Sequence, residues 1–337
     1  MKRASALWRS RVGFVVAILA FSATLAILPA GISRAAFRED EGLAPPENKS
    51  FQTKDGGTIH ATYYKSPRGK DSAVVVLLHM KDGNRFVWQN KGGLAERLQE
   101  QGYAVITVDL RYHGESKGNV AAGNVNQDKD KDKKKTAAGK KGGAGDLKPG
   151  DYKAMVEYDM EAVKKFIFEE NQAENLNMNK LAIVGAEMGA SIATAYAAVD
   201  WAKTPYADAQ PGYQTPRGQD VRALVLISPQ TSFHGLIMSP AITELRNKDF
   251  GVSFLVCVGK EDPQDKGQAK KIFDQASALP DSDKRMYKYD YPGKLRGTDL
   301  LGRRLGIEEH ILAFFEKHLK ELDSQWRDRE SKLNRKK

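Results

Sequence analysis

The chain has 337 residues, 41% hydrophobic and 28% charged, which is enough to build one large domain or two small ones around a real core. Its net charge is +10, but Lys2, Arg3, Arg9, Arg11 and Arg34 supply five of those charges in a stretch without acids, so the rest carries +5. With no stripe of alternating aromatic and basic residues, this argues against a dedicated nucleic-acid binder, and no nucleic acid is expected as a partner.

The first 35 residues read as a targeting segment. A basic start, MKRASALWRSR, precedes the apolar run VGFVVAILAFSATLAILPAGI, and Ser33-Arg34-Ala35 places small residues where a signal peptidase cuts. The run is long for a signal peptide and nearly spans a bilayer, so an uncleaved anchor is the alternative. Either way the domain is expected to be exported, as a periplasmic, extracellular or membrane-anchored protein. Residues 36–49 read as a polar linker.

Then SFQTKDGGTIHATYYKS predicts a hairpin, with Asp55-Gly56-Gly57 as its turn. AVVVLLH (Ala73 to His79) and AVITVDL (Ala104 to Leu110) are continuous apolar runs, as expected of strands buried on both faces. Between them GLAERLQEQG predicts a helix stopped at Gly102. Residues 117–150 interrupt the pattern with lysine, aspartate and glycine. They hold too little apolar surface to offset their ordering entropy and read as a disordered insert. Helix resumes in DYKAMVEYDMEAVKKFIFEE, where Val156, Met160, Val163 and Ile167 share one face. LAIVGAEMGASIATAYAA follows as strand, tight turn and small-residue helix. ALVLISP and FLVCVG are further strands, with a helix near Gln268 to Ala278, the strand RMYKYDY, and a last helix buried through Ile307, Ile311, Phe314 and Phe315. Residues 323–337 read as a basic tail. Strands alternating with helices predict an α/β fold: a doubly wound, mostly parallel sheet with an antiparallel N-terminal hairpin, over residues 50–322. The lone Cys257 sits in an apolar strand and reads as a small hydrophobe.

Five stretches, in order, resemble the α/β-hydrolase superfamily, with a core like those of dienelactone hydrolases and lysophospholipases. LLHMKDGNRFVW resembles the strand and H-G-x loop that offers an oxyanion-hole amide, here at Met80 or Lys81. LAERLQEQGYAVITVDLRYHGES resembles the passage ending D-x-R-G-H-G-x-S. GAEMGAS fits the G-x-S-x-G elbow, with Glu187 at the nucleophile position and Met188 as the next oxyanion donor. VGKEDPQD resembles the strand end bearing the acid, Asp262. PGKLRGTDLL resembles the loop bearing the catalytic histidine, whose place is held by Arg296. The resemblance implies the fold and no cofactor or metal. About two dozen residues separate ALVLISP from FLVCVG, so little or no lid is expected.

The triad positions thus read Glu187, Asp262 and Arg296, and two of the three depart from the family pattern. An ester formed on Glu187 needs a base to activate water, and arginine keeps its proton at any working pH. A charge triad, with Arg296 between two carboxylates, is the expected arrangement. Lys81 and Arg85 are expected to leave the rim basic, Ser191 to face the sheet or a helix, His79 and His113 to fix loops, and His310 to face solvent. The leading expectation is a degenerate hydrolase that binds a small molecule or protein at the pocket, or scaffolds. Its rivals are an ester or amide hydrolase with a non-standard site, and a surface-interaction protein that meets anionic surfaces through the insert or tail.

Overall fold

The computed structural model describes residues 42–117 and 147–334. The expected leader and most of the expected insert lie outside the described residues. No helix among the described residues is long and apolar enough to cross a membrane.

In chain order the strands are β1 (Glu47–Gln52), β2 (Thr58–Tyr64), β3 (Val74–Leu78), β4 (Ala104–Asp109), β5 (Leu181–Ala186), β6 (Val221–Ile227), the short pair β7 (Ser232–Phe233) and β8 (Leu236–Ile237), β9 (Ser253–Gly259) and β10 (Met286–Tyr291). The helices are α1 (Val87–Asn90), α2 (Leu94–Glu100), α3 (Pro149–Ala154), α4 (Met160–Gln172), α5 (Met188–Trp201), α6 (Met238–Leu245), α7 (Gln268–Ala276) and α8 (Ile307–Phe315). A π turn, Met155–Asp159, joins α3 to α4. The eight-stranded sheet runs β1-β2-β4-β3-β5-β6-β9-β10. β1 pairs antiparallel to β2, and β2 antiparallel to β4, while the other neighbours are parallel. The expected mostly parallel sheet with an antiparallel hairpin edge is what the chain forms. β1 starts at Glu47, inside the stretch read as linker.

Because successive side chains alternate across a strand, each continuous apolar run feeds two cores. Val74, Val76 and Leu78 join Ile183, Leu224 and Val256 on one face. Val75 and Leu77 join Val184, Val225 and Leu255 on the other, under α2 and α8. Val156, Met160, Val163 and Ile167 are all buried, as their spacing predicts.

The strand order reverses between β3 and β5. From β3 the chain goes to β4 on one side, and it later returns to β5 on the other. The two following loops therefore part at the carboxyl edge and leave a crevice there, the general place for ligands in open α/β sheets.

One sequence expectation fails against the structure, and the stretch read as a basic tail is held more closely than its charge suggests. That stretch is pinned to the fold over much of its described length. Trp326 Nε1 donates to Asn171 O at 2.9 Å, Asn177 and Asn179 donate to the Ser324 and Gln325 carbonyls, and the buried Arg329 guanidinium pairs with Asp220. Composition alone does not mark Arg329 as buried, because its partner Asp220 lies 109 residues away in sequence. His310 does not face open solvent either. It stacks on Tyr289 with ring centroids 3.9 Å apart and shares a 2.9 Å hydrogen bond with the Tyr291 hydroxyl.

Candidate functional site

The elbow sits where β5 meets α5. Glu187 has φ 49° and ψ −104°, outside the usual regions for a side-chain-bearing residue, at a strain of about 1–3 kcal/mol. Its backbone N–H is tied to Ile227 O at 2.8 Å, so β6 helps to hold the turn. The flanking glycines are sterically required. A Cβ on Gly185 would lie 2.2 Å from Gly189 O, and one on Gly189 would lie 2.4 Å from Leu78 O. This turn pushes the Glu187 side chain out at the crevice.

Asp262 follows β9. Its side chain is fully buried, with Oδ2 accepting from Arg296 Nη1 at 2.8 Å and Oδ1 from the Gln264 N–H at 2.9 Å. Arg296 follows β10, in a loop fixed by the Gly297 N–H donating to Ser228 Oγ at 2.8 Å. Arg296 Nε donates to Glu187 Oε1 at 3.3 Å, and the guanidinium is buried. The three expected positions thus converge, with one guanidinium between two carboxylates. The Asp262 arm is short and dry. The Glu187 arm is longer, and its carboxylate is 13% exposed. Arg296 Nη2 is buried without a partner among the described residues.

The expected oxyanion positions fare differently. The Lys81 N–H donates to Glu187 Oε2 at 3.2 Å, so the nucleophile-position side chain occupies one donor itself. The Met188 side chain is fully buried in the core, and its amide is one of the α5 N-terminal donors that lack an intrahelical partner. Met80 turns its side chain toward the arginine loop, with Sδ 3.1 Å from Thr298 Oγ1.

Beside the elbow lies a cleft of about 410 Å³ between the loop after β3 and the turn after Arg296, lined by Met80, Lys81, Asn84, Val87, Lys91 and Thr298 among others. It meets the triad through Lys81 and through the neighbours of Arg296. The cleft wall is less basic than expected, because Arg85 is not on the rim. Its side chain is 1% exposed, bonded to Asp109, to Thr62 Oγ1 at 3.1 Å and to Glu115 at 2.8 Å. The rim expectation rested on position in the loop alone. Arg85 instead turns inward and neutralises the buried Asp109 at the end of β4.

The remaining hydroxyls and imidazoles do not assemble a second triad among the described residues. Ser191 is buried against Met238 Sδ, as its place one turn into α5 predicts. His79 Nδ1 donates to Met80 O at 2.8 Å and Nε2 accepts from the Leu110 N–H at 3.2 Å, so it ties β3 to β4. Its pKa is pushed down to about 4, first by burial and then by neighbouring His113. His113 bonds the Arg111 carbonyl at 2.9 Å. Both are loop-fixing residues, as expected. Sequence reading missed one serine–histidine contact, Ser253 Oγ to His318 Nδ1 at 3.2 Å. It lies at the start of β9, the opposite edge of the sheet, and the other ring nitrogen meets the Tyr287 phenol at 3.1 Å, not a carboxylate.

With the crevice, elbow and strand order in place, the class is defined: the chain has the α/β-hydrolase fold. Among solved structures it is similar to an esterase of Pyrococcus furiosus (TM-score 0.53, 12% identity, 82% of this chain and 93% of that one). It is also similar to a thermostable carboxyl esterase of Bacillus coagulans (TM-score 0.53, 16% identity, 82% and 99%). An acylaminoacyl peptidase of Pyrococcus horikoshii matches at TM-score 0.53 and 12% identity, over 85% of this chain and 44% of that one. No protein-family model and no curated protein sequence matches the chain.

Proposed function

We propose that this chain is an exported α/β-hydrolase-fold protein that has exchanged catalysis for binding, and that it holds a small molecule or a protein segment at the cleft beside the elbow. One observation carries the reading: the Arg296 guanidinium lies between Glu187 and Asp262, where a hydrolase of this fold needs a proton acceptor. Arginine cannot accept the proton of a nucleophile or of a hydrolytic water. A covalent adduct on Glu187 would therefore stall. The Lys81 N–H, already bonded to Glu187, is unavailable to an oxyanion unless that carboxylate moves. In the place of a proton relay stands an ion triad that ties together the loops after β5, β9 and β10 beside the cleft. Export rests on the basic, then apolar, first 35 residues of the sequence.

The test is chemical. The native protein should hydrolyse no short-chain p-nitrophenyl ester and take no label from a serine-directed fluorophosphonate. Glu187→Ser alone and Arg296→His alone should stay silent, since triad members act as a unit. Robust native esterase activity, abolished by Glu187→Gln or Asp262→Asn, would overturn the reading and make the carboxylate site a working catalyst.

A further inference from the structure

A second cavity, of about 290 Å³, shares no lining residue with the cleft or the triad. It lies between α4, the turn of the opening hairpin, the loop after α5 and the C-terminal segment, and its wall carries six cations against one acid. Most of that charge is already answered. Glu161 takes Lys203 at 2.5 Å. The buried Lys164 sits between Asp200 at 2.5 Å and Asp220 at 2.7 Å, and Asp220 also takes Arg329. Burial pushes the Asp200 carboxyl up, but Lys164, the Asp220 N–H and Lys203 together bring it below its ordinary value, and each cation of the inner cluster faces a carboxylate.

Three cations are left over. Lys165 reaches only Glu169, at 3.8 Å, with both side chains mostly in water, a contact of little worth. Lys54 and Arg217 are exposed and have no acid partner among the described residues. Arg217 lies over the Tyr206 ring, 5.3 Å from its centroid, which pre-positions a guanidinium at the mouth. Apart from the exposed Gln52, the remaining wall is apolar or aromatic: Met178 and Ala162 are buried, with Phe168, Pro216, Tyr158 and Tyr206 around them.

Uncompensated cations at the mouth and an apolar stretch of wall beside the paired inner charges, in a space at the small end of ligand pockets, together specify a ligand. We infer that this cavity binds a small amphipathic organic anion, a carboxylate or phosphate monoester with an apolar body about the size of one ring. Lys54, Lys165 and Arg217 would meet the anionic head, and Met178, Ala162 and Phe168 the body. The cationic mouth would also draw such ligands in at low salt.

Phenyl phosphate is the probe, titrated into the full chain by calorimetry and by saturation-transfer NMR, with inorganic phosphate and phenol as its two halves. Saturable binding of phenyl phosphate, stronger than of either half, is expected. Lys54→Glu with Arg217→Glu, both at exposed positions, should weaken it roughly tenfold or more. Lys91→Glu, at the other cleft, should leave it unchanged. A thermal melt of each variant checks that the fold is retained. No saturable binding of phenyl phosphate, or binding that ignores the double variant and follows Lys91→Glu, would overturn the assignment. Equal binding of inorganic phosphate and phenyl phosphate would reduce the site to surface charge and refute the apolar half. Because the two cavities share no residue, these outcomes are independent of whether the elbow site is catalytic.

Discussion

Removing Arg296 is the sharpest test of the charge triad as a structural lock. Arg296→Ala leaves the Asp262 carboxylate, whose side chain is 0% exposed, with the Gln264 N–H at 2.9 Å as its one remaining partner among the described residues. Stripping one partner from a buried pair costs about 3–5 kcal/mol, because the other charge stays desolvated. The Glu187 arm adds little. At 3.3 Å and 13% exposure it is longer and wetter than the Asp262 arm, so its loss costs less than that of the short arm. Loss of about 3–5 kcal/mol is therefore expected at neutral pH, read from urea unfolding with an unchanged slope. Arg296→Met with Asp262→Asn removes both charges of the short arm while keeping an acceptor for Gln264. Most of the stability should return, so the two substitutions should be strongly non-additive. A cost below about 1 kcal/mol for Arg296→Ala, or simple additivity of the pair, would refute the argument and make Arg296 a solvated loop residue.

Other outcomes follow from groups away from the elbow. Arg329→Ala should cost about 3–5 kcal/mol in the same unfolding assay, since it strands Asp220, which is 1% exposed, beside Lys164 alone. The His79 pKa is pushed down to about 4, so the unfolded chain takes up that proton at its ordinary value near 6.5 while the folded chain resists it. The His79 contribution is whole above about pH 6.5 and is lost as pH falls toward 4, by up to roughly 3 kcal/mol, and His79→Gln should flatten that limb of the stability curve. Burial pushes the Cys257 thiol up to about 12, so iodoacetamide should leave the native protein unlabelled and modify it only as fast as it unfolds.

What the sequence made legible, and what it hid, divides along a physical line. Val75 and Leu77 could be assigned to a strand because a run buried on both faces has no polar alternation, and the glycine spacing around Glu187 marked an elbow, whose turn leaves no room for a Cβ at Gly185, against Gly189 O, or at Gly189, against Leu78 O. Such features are local: a few consecutive residues determine them, and the order of five of them fixes the topology. The convergence of Glu187, Asp262 and Arg296 was implied by the order of the hydrolase-like motifs, and its physical cause is that each follows a strand of one sheet and all three strands end on the same edge. The misjudged residues are long cations whose partners lie far along the chain. Arg85 finds Asp109, and Arg329 finds Asp220, which is 109 residues away. Neither partner is marked by periodicity, because a buried aspartate at a strand end reads like any other loop acid. His310 was misplaced for a related reason: helical spacing gives its angle on α8, but not the Tyr289 ring that β10 lays against it. Long side chains were thus read by their charge, whereas the fold uses them by their reach. The same distinction governs the second cavity. Its six cations look in sequence like scattered solvated lysines and arginines, and only the pairing of Lys164, Arg329 and Lys203 with their buried or half-buried acids leaves Lys54, Lys165 and Arg217 as the uncommitted charge.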